Sequence, residues 1–311
     1  MGTLLERLCR QRRIRRREFL GGSITLAAIK LTGCSPNDET ETNNQDQGES
    51  QPTALKASWL SHHTYIAPDL SQTKDWYQAV FGMQLGYEDA NQAHLWFGDE
   101  GGDTLMILRQ AEAGEAAPRI ERFGFTIDNW DRIEIEKNLE QRGLQPQSDT
   151  DNGFWFMDPD GNEIGVFSKD YLTRPSTPEG EPQLWKALSA NHVVVTSRDY
   201  RGLGDWYLNL FDLRETSDGG RDVYQWFGDS VWIPTATAEG EQTSFELKSL
   251  DHVAYTIENY NSEEVHAELT RREMKPDDNP ESLGINCIDI NGFKTQVCDK
   301  SLVPDAEQRR A

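Results

Sequence analysis

Two histidines and a glutamine in the second half of the chain could together form a binding site for a metal or a small ligand. They are His192, His252 and Gln296, and each lies in a short segment with the alternating pattern of a β-strand. Imidazole nitrogens suit divalent transition metals, and two histidines with a carboxylate would form the facial triad of iron(II) sites. Here the third residue is a neutral amide. The residue types therefore leave open a site for one divalent ion (Fe, Mn, Zn or Ni) or a metal-free polar pocket.

The chain repeats itself at a fixed distance. The segment His62–Asp69 matches His192–Asp199, and Trp96–Asp99 matches Trp226–Asp229, in both cases 130 positions further on. A register that stays constant over so much of the chain indicates two copies of one folded unit. Equivalent positions of the two copies can therefore be compared within one molecule.

Strand alternation assigns a direction to each candidate side chain in the second copy. Val253, Tyr255 and Ile257 form an apolar face that is expected to pack on helices. His252 must then point to the opposite, concave face. The same argument places His192 and Gln296 on that face.

The equivalent positions of the first copy hold a different set of residues. They are His62, Arg122 and Gly165, of which Arg122 would repel a cation and Gly165 offers no donor. Glu163 lies two residues before Gly165 on the same face, where it can pair with Arg122. His63 points to the other face, so it forms no chelate with His62. The first copy is therefore predicted to be metal-free, with a pocket formed by His62, Arg122 and Glu163.

The pattern of apolar residues predicts two similar halves in each copy, and each half is a strand, a helix and three strands. In the first copy the expected elements are His62–Pro68, Ser71–Phe81, Gln84–Tyr87, Ala93–Phe97, Thr104–Arg109, Arg122–Ile127, Asp131–Arg142, Leu144–Gln147, Phe154–Asp158 and Glu163–Ser168. The second copy is expected from Ala190 to Asp299, with helices near Tyr200–Phe211 and Ser262–Arg272. The sequence therefore predicts an α+β fold of four βαβββ units.

This order of elements resembles the vicinal oxygen chelate superfamily, which includes glyoxalases, extradiol dioxygenases and bleomycin-resistance proteins. Two motifs carry the resemblance: the turn Asp158–Asn162 before a final strand, and an opening strand followed by Asp199 and the aromatic pair Trp206-Tyr207. The resemblance implies two glyoxalase-like domains, each a curled eight-stranded mixed sheet with helices outside. It also implies metal ligands on the first, fifth and eighth strands of a domain.

The resemblance implies two classes of function. One is a protein that binds a small ligand in a concave pocket without metal chemistry, as bleomycin-resistance proteins do. The other is a divalent-metal-dependent dioxygenase, lyase or glyoxalase-like enzyme that uses His192, His252 and Gln296. The missing carboxylate favours the first class, whereas the two retained histidines favour the second. Either a monomer or a homodimer fits the pattern.

The charge of the chain disfavours nucleic acid as a partner. The sequence holds 31 basic and 53 acidic residues, for a formal net charge of −22. Eight of the basic residues lie within the first 33 positions, so the remainder is more acidic still. Binding to a phosphate backbone requires a basic face. A small molecule is therefore the expected partner, and contact with a membrane is expected only through an N-terminal anchor.

The N-terminal segment is typical of an export signal. Arg16 and Arg17, followed by Phe19 and Leu20, resemble the twin-arginine pattern. The residues Leu-Thr-Gly-Cys that end at Cys34 resemble a lipobox, in which the cysteine is lipidated. The apolar stretch between the two motifs is shorter than the roughly 20 residues that span a membrane. The sequence therefore predicts an extracytoplasmic, membrane-anchored lipoprotein exported by a twin-arginine-type route.

These patterns divide the chain into six segments. They are a signal peptide (1–33), a disordered tether (34–56), a first domain (57–172), a linker (173–186), a second domain (187–300) and a disordered tail (301–311). Cys287 and Cys298 are predicted on neighbouring strands but not opposite each other, so buried free thiols are favoured over a disulfide.

Overall fold

A computed structural model describes residues 52–98, 104–171, 174, 184–218, 222–227, 230–236, 250–277 and 284–302. These residues belong to one compact unit. None of the described helices is long and apolar enough to cross a membrane. The predicted signal peptide, most of the tether and linker, and most of the tail lie outside the described residues.

The first copy forms an eight-stranded mixed sheet with two helices. Its elements are β1 (Ala57–Ala67), α1 (Leu70–Phe81), β2 (Gln84–Glu88), β3 (Gln92–Phe97), β4 (Thr104–Gln110), β5 (Arg119–Ile127), α2 (Arg132–Gln141), β6 (Gln147–Thr150), β7 (Gly153–Met157) and β8 (Glu163–Phe167). The strand order is β2-β3-β4-β1-β5-β8-β7-β6. The predicted βαβββ order is confirmed, but β1 begins five residues earlier than expected and β6 begins three residues later.

The second copy repeats this arrangement within the described residues. Its elements are β9 (Ala187–Ser197), α3 (Tyr200–Leu210), β10 (Arg214–Asp218), β11 (Val223–Phe227), β12 (Ser230–Ala236), β13 (Leu250–Ile257), α4 (Ser262–Arg271), β14 (Gly284–Ile288) and β15 (Lys294–Cys298), followed by a 3-10 turn (Lys300–Leu302). The described strands form a seven-stranded sheet in the order β10-β11-β12-β9-β13-β15-β14. The α+β class and the two mixed sheets predicted from the sequence are confirmed.

Aromatic side chains on the outer faces of the two sheets join the copies into one core. Phe125 on β5 packs on Phe211, at the end of α3, with ring centroids 4.4 Å apart. The equivalent Tyr255 on β13 packs on Phe81, at the end of α1, at 4.8 Å. Each central strand thus contacts the helix of the other copy. The predicted outward direction of Tyr255 is correct, and its partner helix comes from the opposite copy.

Two buried aspartates link the copies in the same reciprocal way. Asp158 accepts a hydrogen bond from the Tyr207 hydroxyl (3.0 Å), and Asp289 accepts one from the Tyr77 hydroxyl (3.2 Å). Tyr65 also donates to Asp289, at 2.6 Å. The other carboxylate oxygen of each aspartate accepts backbone N–H groups of its own turn. Each aspartate therefore holds its own turn against the other copy, which is a structural role rather than acid–base chemistry.

The two cysteines of the second copy lie on adjacent strands but do not face each other. Cys287 lies opposite Thr295, and Cys298 lies opposite Gly284. Both thiols are buried and free, as the sequence favoured.

The Tyr207→Phe substitution should lower the free energy of unfolding by about 1.5–3 kcal/mol, because it removes a hydrogen bond to a buried carboxylate. Chemical denaturation of the whole chain measures this change. Tyr87→Phe is the matched control, since the Tyr87 hydroxyl makes a solvent-exposed hydrogen bond to Asp89, two residues away. Equal effects of the two substitutions would contradict a linking role for Tyr207.

Candidate functional site

Three neighbouring strands bring the candidate residues of the second copy together. Ala254 on β13 lies opposite His192 on β9 and also opposite Gln296 on β15. His252 lies two residues before Ala254, so its side chain leaves the same face of the sheet. The imidazole rings of His192 and His252 have centroids 5.5 Å apart and are nearly perpendicular, at 77°. The Gln296 side chain approaches both rings closely enough to affect the pKa of each.

The three side chains are nearly but not completely buried. His192, His252 and Gln296 are 5%, 6% and 7% exposed. Gln296 Nε2 donates a hydrogen bond to the carbonyl oxygen of Gly284, at 3.2 Å. The amide oxygen is therefore the electron-pair donor that Gln296 can offer to a ligand.

Each histidine is held by the residue that precedes it. His192 Nδ1 lies 2.8 Å from Asn191 Oδ1, and His252 Nδ1 lies 2.5 Å from Asp251 Oδ2. A carboxylate and an amide oxygen only accept hydrogen bonds, so both Nδ1 atoms carry a proton. Lys294 Nζ donates to the same oxygen of Asp251, at 2.8 Å. His252 Nε2 is buried and makes no hydrogen bond of normal geometry.

The environment keeps both imidazoles neutral. Burial and, to a smaller extent, the neighbouring His252 together lower the pKa of His192 to about 3. Burial also lowers the pKa of His252, although its bond to Asp251 acts in the opposite direction. A neutral imidazole protonated on Nδ1 has an electron pair on Nε2. The site therefore offers two imidazole acceptors to a ligand.

The concave face of the first copy is filled by the ring of Phe167. This ring lies over three glycines: an added Cβ would come within 2.5 Å of it at Gly124, 2.2 Å at Gly153 and 2.3 Å at Gly165. The equivalent of Phe167 in the second copy is the much smaller Cys298. Gly165 occupies the position equivalent to Gln296. The Phe167 ring therefore lies in the space that a third ligand side chain would need in the first copy.

His62 is enclosed by aromatic side chains. Its ring lies 4.7 Å from Phe167 and 5.3 Å from both Trp155 and Tyr171. Burial lowers the pKa of His62, and the Arg122 charge lowers it further. Aromatic rings thus surround most of a neutral histidine in the first copy, whereas amide and carboxylate groups contact the two histidines of the second copy.

Arg122 and Glu163 lie at the edge of this aromatic group. Arg122 Nη1 is 3.4 Å from Glu163 Oε2, and the guanidinium carbon is 4.2 Å from the centroid of the Trp155 ring. The structure therefore brings together all three residues of the predicted first-copy pocket. The positive charge lies where a metal ligand would be needed.

Sequence reasoning missed Asn191, Asp251 and Phe167. Strand alternation places Asn191 and Asp251 on the face opposite their histidines, so neither was expected near the site. The sequence did contain a signal for Phe167, because the first copy has this large residue at the position where the second copy has Cys298. Three glycines on neighbouring strands are the complementary signal.

Comparisons with known proteins support the fold, and part of the chain matches a family model. Residues 59–166 match the model of the Glyoxalase/Bleomycin resistance protein/Dioxygenase superfamily. The chain is similar in structure to a variant of homoprotocatechuate 2,3-dioxygenase from Brevibacterium fuscum, with a TM-score of 0.62 and 14% identity over 79% of this chain and 72% of that one. A complex of that dioxygenase with 3,4-dihydroxyphenylacetate gives a TM-score of 0.61 and 14% identity over 79% of this chain and 81% of that one. No curated protein matches the chain in sequence.

The Gly165→Ala substitution should destabilise the protein by about 1–3 kcal/mol, because the new methyl group would overlap the Phe167 ring and, to a smaller extent, come within 2.8 Å of Trp155 Cε3. In a Phe167→Cys background, which copies the second-copy residue, the same substitution should cost less. Chemical denaturation of the four variants of this cycle gives the coupling energy. A coupling near zero would show that Phe167 does not fill the space beside Gly165.

Proposed function

We propose that the protein binds a small ligand at the second copy, on His192, His252 and Gln296, and that the first copy is its metal-free structural partner. The observation that carries this proposal is the contrast between equivalent positions. In the first copy Phe167 covers the position of the third side chain. In the second copy three polar side chains approach one another and keep a small exposed area.

The ligand is a polar molecule rather than an apolar one. Buried polar groups cost free energy unless they are hydrogen-bonded. His252 Nε2 makes no hydrogen bond of normal geometry, and neither does His62 Nε2 in the first copy, where aromatic rings surround the imidazole. At His252 a polar ligand that supplies the missing bond would remove this cost. The structural similarity to a dioxygenase that binds a small aromatic acid supports a small-molecule ligand, although at 14% identity the similarity concerns the fold alone.

A divalent metal ion bound by the same three side chains is the second candidate. Two observations favour the metal. His252 Nε2 makes no hydrogen bond of normal geometry, and the Nδ1–H group of each histidine donates to an oxygen of the preceding residue. Metal-binding histidines usually donate their second ring N–H to such an oxygen. These side chains fit only a weakly held ion, because none of them is a carboxylate or thiolate. Within the described residues, no group of three His, Cys, Asp or Glu side chains could hold a metal. Two imidazoles and one amide oxygen would hold the ion, which when bound supplies Lewis-acid chemistry.

In this second candidate, the chain acts as a dioxygenase-like or glyoxalase-like enzyme. His192 and His252 would hold the ion through their Nε2 atoms, and Asp251 would keep the His252 ring in place. The nearby Lys294 charge, whose effect reaches both histidines, opposes a dication. A ligand that brings its own negative charge would offset this repulsion.

The Gln296→Glu substitution should strengthen zinc binding by about tenfold or more, because it adds a charge to the site. A charge pair near 4 Å at an effective dielectric of 20 is worth about 4 kcal/mol, or roughly three decades of affinity, and this is an upper limit. Calorimetric titration of the whole chain with zinc measures the change.

The histidines of the two copies provide the controls for this titration. His192→Ala and His252→Ala should abolish zinc uptake, whereas His62→Ala in the first copy should leave it unchanged. No gain of affinity in Gln296→Glu would eliminate the metal candidate and leave the polar-ligand proposal. Zinc uptake that depends on His62 would contradict both.

The proposed location of the protein is outside the cytoplasmic membrane, held by a lipid on Cys34. The sequence pattern around Arg16, Arg17, Phe19 and Leu20 and the lipobox-like end of the signal support this proposal. If it is correct, Cys34→Ser will prevent lipid labelling and release the protein from the membrane fraction. Unchanged membrane attachment of this variant would contradict lipidation at Cys34.

A further inference from the structure

Two irregularities in strand pairing lie immediately before the two histidines. On β9, His192 pairs with Ala254 and Ala190 pairs with Tyr255, so the pairing skips Asn191. On β13, Leu250 pairs with Val195 and His252 pairs with Val194, so the pairing skips Asp251. Both residues therefore occupy β-bulges.

The bulges explain how each residue reaches the histidine that follows it. In a regular strand, consecutive side chains point to opposite faces of the sheet. A bulge inserts one extra residue and redirects side chains locally. Asn191 and Asp251 can therefore place an oxygen 2.8 Å and 2.5 Å from the Nδ1 atom of the next residue.

A second bond holds each of the two oxygens in place. Asn191 Nδ2 donates to Thr256 Oγ1 at 3.0 Å, which anchors the Asn191 side chain beside His192. Lys294 Nζ donates to Asp251 at 2.8 Å. Each histidine is thus oriented by a chain of two contacts, His192–Asn191–Thr256 and His252–Asp251–Lys294.

We propose that Asn191 and Asp251 are positioning residues that fix both histidines as Nδ1–H tautomers and turn both Nε2 electron pairs toward the site. The site therefore selects a ligand group that accepts an electron pair, either an O–H or N–H donor or a metal ion. A bare anion or a carbonyl group would meet two acceptors and is disfavoured. The inference about ligand selectivity rests on the proposed function, whereas the inference about the tautomers does not.

The first copy keeps the bulges without this effect. Its pairing skips Ser61 and Glu121, which are equivalent to Asn191 and Asp251. Ser61 Oγ lies 3.1 Å from His62 Nδ1, and a hydroxyl can donate or accept, so it does not select a tautomer. Glu121 interacts with Arg109 and precedes Arg122 rather than a histidine. The bulge belongs to the fold, and only the second copy uses it to orient two imidazoles.

Long-range ¹H–¹⁵N correlation spectra of the whole chain, labelled with ¹⁵N-histidine, test the proposal. In the unsubstituted protein, His192 and His252 should both show the Nδ1–H pattern. Asp251→Ala should convert His252 to a mixture of tautomers and leave His192 unchanged. Asp251→Asn retains an accepting oxygen and should restore the Nδ1–H pattern. Ser61→Ala is the matched control and should change neither histidine of the second copy.

Two results would overturn the proposal: an Nε2–H pattern for His252 in the unsubstituted protein, or an unchanged His252 pattern in Asp251→Ala. Zinc titration of the same variants tests the selectivity separately. Asp251→Ala should weaken zinc binding by about 10- to 100-fold, the usual effect of removing a group that orients a ligand histidine. The expected spectra without any zinc binding would support the positioning role and count against a metal ion as the ligand group.

Discussion

The register of three adjacent strands determines whether this protein has a site at all. Ala254 lies opposite both His192 and Gln296, and His252 lies two residues before it on the same face. A shift of one residue on any of these strands would turn that side chain to the helix-packed face. The packing of Tyr255 between the copies fixes the register of β13, because its ring must face α1.

Two functions are separated onto the two faces of each sheet. The outer faces carry the reciprocal contacts that join the copies, including the bonds of Tyr207 to Asp158 and of Tyr77 to Asp289. The inner faces do not take part in these contacts. The inner face can therefore differ between the copies, and in the first copy the Phe167 ring lies over its three glycines. The other inner face retains polar side chains. This separation explains how two copies with such similar frameworks differ in chemistry.

The fold could be predicted from the sequence because the repeat and the apolar alternation are local signals that agree over both copies. The same alternation predicted that His192, His252 and Gln296 share a face, and the structure brings them together; their role as ligands stays a prediction. Asp251 could not be assigned, because a bulge breaks alternation and leaves no mark in the residue types. The partner of Tyr255 was also beyond reach, since an apolar face does not specify which helix covers it.

A crystal structure of the protein purified from its native host tests the central claim most directly. We expect electron density for a bound ligand group or ion in contact with His192, His252 and Gln296. We also expect the Phe167 ring to cover Gly165 in the first copy. Side chains of His192, His252 and Gln296 that point to different surfaces, or a ligand bound beside Gly165, would contradict the proposed site.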